Sequence, residues 1–231
     1  MSSWEPREVE SPCCKETQHV EIAKTLNLVR SPKLRDVILA GDLHVVGCGV
    51  CNKMFYVETM FTVVDVSSDE YYLVVPLSEL ERWPELEGLA QESFIVPLSE
   101  NPHVRPLADR AHIRVVCGLG ALREKILLRR LGLDDVIVEL VKLERIAASP
   151  RGTPLEGRLI VDGAELATLR LRAHGQPDVA FPMTRYNELC ARRAELSELY
   201  PGLFAGVFVS YERLISESRV PASKPDQARG T

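Results

Sequence analysis

From His19 to Leu28 apolar and polar residues alternate, placing Val20, Ile22, Leu26 and Leu28 on one side of an extended chain. That period predicts a half-buried strand. The pattern then lengthens: Leu34, Ile38 and Leu39 share a helical face over 32–40, behind Ser31-Pro32 and ahead of Gly41. A cap, a proline at the first helical position and a glycine stop predict a short helix there. Leu43 to Val46 and Met54 to Asp65 read as strands on either side of a tight turn, followed by short strands at Tyr71–Pro76 and Ile113–Cys117. Between those two the chain is punctuated by prolines and predicts no clear element.

Leu122, Ile126 and Leu127 begin a helical stripe that pauses at Gly132. A second helix follows, capped by Asp134 or Asp135, with Ile137, Leu140 and Val141 at i, i+3 and i+4. After Ser149-Pro150-Arg151-Gly152, two alternating runs flank Asp162-Gly163, a dipeptide suited to a two-residue hairpin turn. Thr184 is a candidate cap for a helix reaching Leu199, and Leu203 to Ser210 reads as a final strand. The order of strands and helices, with several hairpins, predicts an α+β fold: a mostly antiparallel sheet, zinc-ribbon-like cysteine turns and three to four helices. The expected organisation is a domain over 9–145, an extension over 146–215 that continues the same sheet, and a disordered tail over 216–231.

Composition narrows the function classes. The 231 residues carry a net charge of −5 with interspersed signs, no apolar run of 18 residues and no basic leader followed by an apolar stretch. These features predict a cytoplasmic protein that does not enter membranes and offers no basic platform for nucleic acid. The expected partner is another protein. Six cysteines in a long chain able to bury its own core do not imply a disulfide framework.

The cysteines carry the candidate chemistry. Val46-Gly47-Cys48-Gly49-Val50-Cys51-Asn52 presents two thiols on one tight turn, and Asn52 tolerates the left-handed backbone such a turn needs. Ser11-Pro12-Cys13-Cys14 is the other half, with one expected thiol missing. From Ser11 through the strand and short helix to Cys51, the chain resembles the bacterial CpXC domain, a presumed metal-binding domain with two Cys-Pro-x-Cys turns. Leu122–Leu127 and Gly132–Leu143 resemble that family's C-terminal helical stretch.

The resemblance implies a zinc-type site and no particular reaction. Against the family pattern, Ser11 stands where the first cysteine belongs and Gly49 replaces a proline. A serine hydroxyl is a poor zinc ligand at neutral pH. The candidate metal ligands are Cys14, Cys48, Cys51 and Cys13, with His19 or His44 as alternatives to Cys13, because adjacent Cys13 and Cys14 can both ligate only if the turn is rearranged. A decayed site of small buried cysteines, or a redox pair at Cys48 and Cys51, are the competing readings.

Other positions read as structural. Cys117 and Cys190 are expected in the core, His103, His112 and His174 lack partnered motifs, and Gly118-Leu119-Gly120 reads as a turn. Asp134-Asp135 reads as a helix cap, Arg129-Arg130 and Arg192-Arg193 as solvated faces, and Asp69-Glu70-Tyr71-Tyr72 as an edge strand with exposed tyrosines. The favoured function is a non-enzymatic module with a structural zinc-type site. The alternatives are an enzyme or regulatory subunit with its site in 66–118 or in the extension, and a nucleic-acid-binding zinc-ribbon protein.

Overall fold

In the computed structural model of the protein, residues 2–100, 105–148, 158–173 and 178–219 are described. The polar lead is a strand, β1 (Ser3–Glu10), laid antiparallel on β2 (Thr17–Asn27). It shows little apolar pattern because it forms the outer edge of the sheet, where Pro6 is also tolerated. β2 buries Ile22, Ala23 and Leu26, and Leu28 just beyond it is buried too. Helix α1 (Lys33–Ala40) follows, ended by Gly41 at φ 84°. The Ser31 side chain does not cap it; its hydroxyl faces that of Ser2 at 3.4 Å.

β3 (Val45–Gly47) and β4 (Met54–Tyr56) form a separate two-stranded hairpin carrying the cysteine turn. The chain then enters β5 (Phe61–Asp65) and β6 (Glu70–Val75). The stretch expected to lack elements contains a 3₁₀ turn at Leu77–Arg82, then α2 (Trp83–Ala90), a π-helical turn, α3 (Val96–Glu100) and α4 (Arg105–Ala108). These pieces are short and carry prolines, so no apolar period runs long enough to be read. β7 (His112–Cys117) completes a five-stranded sheet in the order β1-β2-β5-β6-β7, with β2/β5 and β6/β7 parallel and the other pairs antiparallel.

The tyrosines at 71 and 72 correct the edge-strand expectation. β6 lies between β5 and β7 and is buried along its whole length. Tyr72 and Val74 face a core shared with α1 and α5 (Leu119–Arg130), whereas Tyr71, Leu73 and Val75 face α2 and Phe208. A strand covered on both faces loses the polar alternation that marks a half-exposed one.

Asp134 caps α6 (Asp135–Ala147) by accepting hydrogen bonds from the amides of Val136 and Ile137. The apolar side of α6 packs with the C-terminal segment, not with the main sheet. There β8 (Ile160–Glu165), β9 (Thr168–Arg172) and β10 (Val179–Pro182) form their own three-stranded sheet. The extension therefore does not continue the five-stranded sheet. Its hairpin also turns at 166–167, four residues later than expected, while Asp162-Gly163 lies in an irregularity of β8. Asp162 is drawn inward by ion pairs with Arg123 and Arg172, and Gly163 leaves room for Arg170, whose Nη2 would sit 2.8 Å from any Cβ there.

Helices α7 (Met183–Ala191), α8 (Arg193–Leu199), α9 (Pro201–Ala205) and α10 (Tyr211–Arg219) complete the described residues. The last strand expected at 203–210 is replaced by α9 and an extended segment. That segment still guards the sheet edge, since the Val115 amide donates to the Val207 carbonyl at 2.9 Å. The tail expected from 216 is helical to Arg219; 220–231, the turn at 149–152, His103 and His174 lie outside the described residues. Among the described residues no helix is long and apolar enough to cross a membrane.

Candidate metal centre

Two short turns face each other and share one backbone pattern. In the second, the Cys48 amide donates to the Lys53 carbonyl at 2.9 Å and the Asn52 amide to the Cys48 carbonyl at 2.9 Å. In the first, the Ser11 amide donates to the Glu16 carbonyl at 2.8 Å and the Lys15 amide to the Ser11 carbonyl at 2.9 Å. Asn52 and Lys15 both sit at φ 57°. Ser11 and Cys48 are therefore equivalent positions, and each is 0% exposed. Gln18 of β2 braces the pair, donating to the Gly47 carbonyl at 3.0 Å and accepting from the Gly49 amide at 2.9 Å.

The turns bring the sulfurs of Cys13, Cys14, Cys48 and Cys51 within 4.8 Å of one another. Cys13 and Cys51 are 3.3 Å apart as free thiols. Four sulfurs around zinc at about 2.3 Å lie about 3.8 Å from each other, so the cluster has the dimensions of a tetrahedral site with little movement. Both neighbours of the first turn contribute. Its left-handed residue, Lys15, lets the chain reverse immediately after Cys14, and Cys13 brings a fourth sulfur to the cluster.

Ser11 does a different job. Its Oγ accepts from the Glu16 amide at 3.1 Å, holding the turn closed. Its hydroxyl is also the foremost of the groups that pull the Cys48 thiol down to about 6, ahead of the backbone amides of Cys51 and Val50. Cys14 is pushed up to about 12, and Cys13 is raised, chiefly by the hydrogen bond each shares with Cys51. Sulfurs this close cannot all be anionic without a compensating cation. A soft divalent ion would supply that charge, and coordination would remove the remaining thiol protons.

Neither histidine considered as a ligand belongs to the cluster. His44, at φ 57°, accepts from the Ala23 amide through Nε2 at 2.9 Å and stands edge-on to Phe61. It ties the cysteine hairpin to β2. His19 is exposed, 3.5 Å from Glu8. Cys117 lies in the core, its thiol pushed up to about 11 by burial, and Cys190 is half-buried.

A second cluster escaped the sequence. Between α5 and α6, Lys142 holds Glu124 at 2.7 Å and Glu139 at 3.0 Å, and Lys125 bridges Glu139 at 3.0 Å to Asp135 at 3.2 Å. Arg114 pairs with Asp135 at 2.7 Å, and His112 lies 3.8 Å from the same carboxylate. Burial drives the His112 imidazole down to about 4, while Lys125 and Arg114 hold Asp135 well below the usual carboxylate range against its burial. The outer end of this network opens into a polar cleft of about 500 Å³. Asp134-Asp135 is thus a cap and a buried anion, and His112 lies beside that anion with its Nδ1 unpaired. The available signal was the stripe Asp135, Glu139, Lys142 at i, i+4 and i+7, on a helix whose other positions are almost all apolar.

Comparison with known proteins agrees with the site geometry. No curated protein and no solved structure matches this chain. The model of the CpXC protein family matches residues 9–142, a span that contains both cysteine turns, the β2–α1 connection and helix α5. The match covers more than half of the chain, which therefore belongs to the CpXC family.

Proposed function

We propose that this protein is a non-enzymatic module in which Cys13, Cys14, Cys48 and Cys51 hold a structural zinc ion, and that it works through contacts with another protein. The convergence of four sulfurs within 4.8 Å on two matched turns carries this reading. All four positions of a tetrahedron are filled by protein thiols, which suits a structural ion; a catalytic one keeps a position open for water or substrate. The ion would fasten the β3–β4 hairpin to the β1–β2 connection, two segments otherwise joined mainly through Gln18 and His44.

The hairpin so fixed displays Val50, Met54 and Tyr56, each at least 60% exposed. Large apolar side chains on a small rigid projection suit a protein contact better than solvent. Metal analysis of the freshly purified chain beside Cys48→Ser tests the site: about one zinc per chain, absent from the variant, is expected. Protein without zinc would overturn it. The contact is tested with Val50→Asp/Met54→Asp, which should keep zinc but release proteins that co-purify with the wild type; unchanged association would move the contact elsewhere.

A further inference from the structure

A cavity of about 770 Å³ lies at the carboxyl ends of the parallel strands β6 and β7, between the cysteine hairpin and the C-terminal sheet. We infer that it binds a small amphipathic acid, a carboxylate or similar monoanion carried on an apolar body. Its volume falls in the range of small-molecule sites, which are mostly apolar with a few convergent polar groups. The carboxyl ends of parallel strands are also where ligands bind in open α/β sheets.

The walls are aliphatic, supplied by Ile38, Leu43, Leu119 and Ile160, and the charged groups among the lining residues are three arginines against one acid. The arginines come from three elements and are held in place from behind. Arg123 donates to the Leu39 carbonyl at 2.6 Å and to Asp162 at 2.8 Å; Arg172 meets the same Asp162 at 2.8 Å. Arg158 donates to the Cys117 carbonyl and pairs with Glu212 at 2.7 Å. A guanidinium has five N–H donors, so each retains some for a ligand. The lining acid, Glu58, is engaged by the Leu77 amide at 3.0 Å.

The local backbone adds to this polarity. Gly118, at φ 85°, turns β7 directly into α5, and no side chain caps the helix. Leu119, Gly120 and Ala121, whose amides belong to that uncapped first turn, line the cavity. Arginine N–H groups, the first-turn residues of α5 and aliphatic walls in one cavity fit an anionic head and an apolar tail. Asp162, Asp178 and Glu212 balance the arginine charges, Asp178 meeting Arg172 at 2.9 Å, so a ligand is held by the unused N–H donors and a monoanion is favoured over a polyphosphate.

The test uses the full chain and 8-anilinonaphthalene-1-sulfonate, an aromatic anion that fluoresces in apolar surroundings. Saturable one-site binding is expected, with decanoate displacing the probe about tenfold more effectively than decanol, as one charge-assisted contact would give. Gly120→Trp should abolish it, because nothing lies within 4 Å of a Cβ at that position and an indole can enter the open space. Arg172→Gln alters a half-exposed side chain and should weaken decanoate but not decanol. No saturable binding to the wild type, equal displacement by acid and alcohol, or unchanged binding in a folded Gly120→Trp chain would each overturn the inference. If Gly120→Trp fails to fold, an Arg172→Gln chain that keeps the full preference for decanoate does so. The zinc reading stands or falls separately.

Discussion

The turn at Ser11–Glu16 and the turn at Cys48–Lys53 have the same amide-to-carbonyl bonds and the same left-handed residue, yet only the second keeps both thiols at the standard positions. In the first, the buried position is a hydroxyl and the next-but-one residue supplies the sulfur. Backbone shape and ligand identity are thus separable. The turn's shared bonds are made by backbone groups, whereas the ligand set depends on which side chains point to the centre. On the proposed zinc reading Cys13 would supply the missing ligand, because the turn brings its sulfur within 4.8 Å of the other three.

The strongest way to break this comparison is to remove a ligand from each turn. Cys48→Ser and Cys13→Ser should both reduce zinc from about one per chain to near zero, measured by metal analysis after gel filtration. If Cys13→Ser kept its zinc, Cys13 would not be the ligand that stands in for position 11. The pH dependence comes next. Cys13 and Cys14 have raised thiol pKa values, so they are protonated at neutral pH without metal and must release those protons to bind it. Zinc affinity should therefore rise with pH and fall as pH drops. Release of at least the protons of Cys13 and Cys14 gives roughly a hundredfold or more per pH unit near neutrality. Calorimetry in buffers of different ionisation enthalpy reads the proton count directly.

Ser11→Ala is a smaller perturbation. It removes the acceptor for the Glu16 amide and the hydroxyl beside the Cys48 sulfur while leaving all four ligands. The chain should retain one zinc but bind it about tenfold more weakly in a chelator competition, the equivalent of one or two hydrogen bonds. Smallest of all, Lys15→Gly should stabilise the protein by about 0.5–1 kcal/mol in denaturant titration, because a left-handed lysine is strained and glycine is not. Asn52→Gly should gain less, since asparagine tolerates that conformation.

A further prediction concerns the buried network. His112 is held neutral by burial, with its imidazole at about 4 against the usual 6.5, so the unfolded chain binds more protons between those values. By the linkage relation, stability is then present above about 6.5 and declines as pH falls toward 4. His44, lowered in the same sense by burial, adds to the slope. His112→Gln should remove about one proton's worth of that decline, measured as denaturation midpoint against pH.

Much of the scaffold was legible because it follows single-period patterns. β2, α1, α5 and α6 were readable from alternation or helical stripes with caps, and the α+β class followed from their order. β1 was not, because an edge strand facing solvent on most positions needs few apolar residues. The Asp162-Gly163 turn misled because tertiary ion pairs with Arg123 and Arg172 took Asp162 inside, leaving 166–167 to reverse the chain. At the cysteine site the sequence supplied all four candidates, but it could not choose Cys13 over His19 or His44. That choice depends on the left-handed Lys15, which carries no local signal. The ions of α5 and α6 were hidden for a related reason: a charge read alone predicts solvent, and only its partners across the seam make burial possible.

The substitution of Cys13 for the missing ligand at position 11 is tested most directly by zinc-edge X-ray absorption on the full chain purified with its native metal. Four sulfur neighbours at about 2.3 Å are expected. Three sulfurs with one oxygen or nitrogen would contradict the account, because the fourth position would then belong to Ser11, a histidine or water.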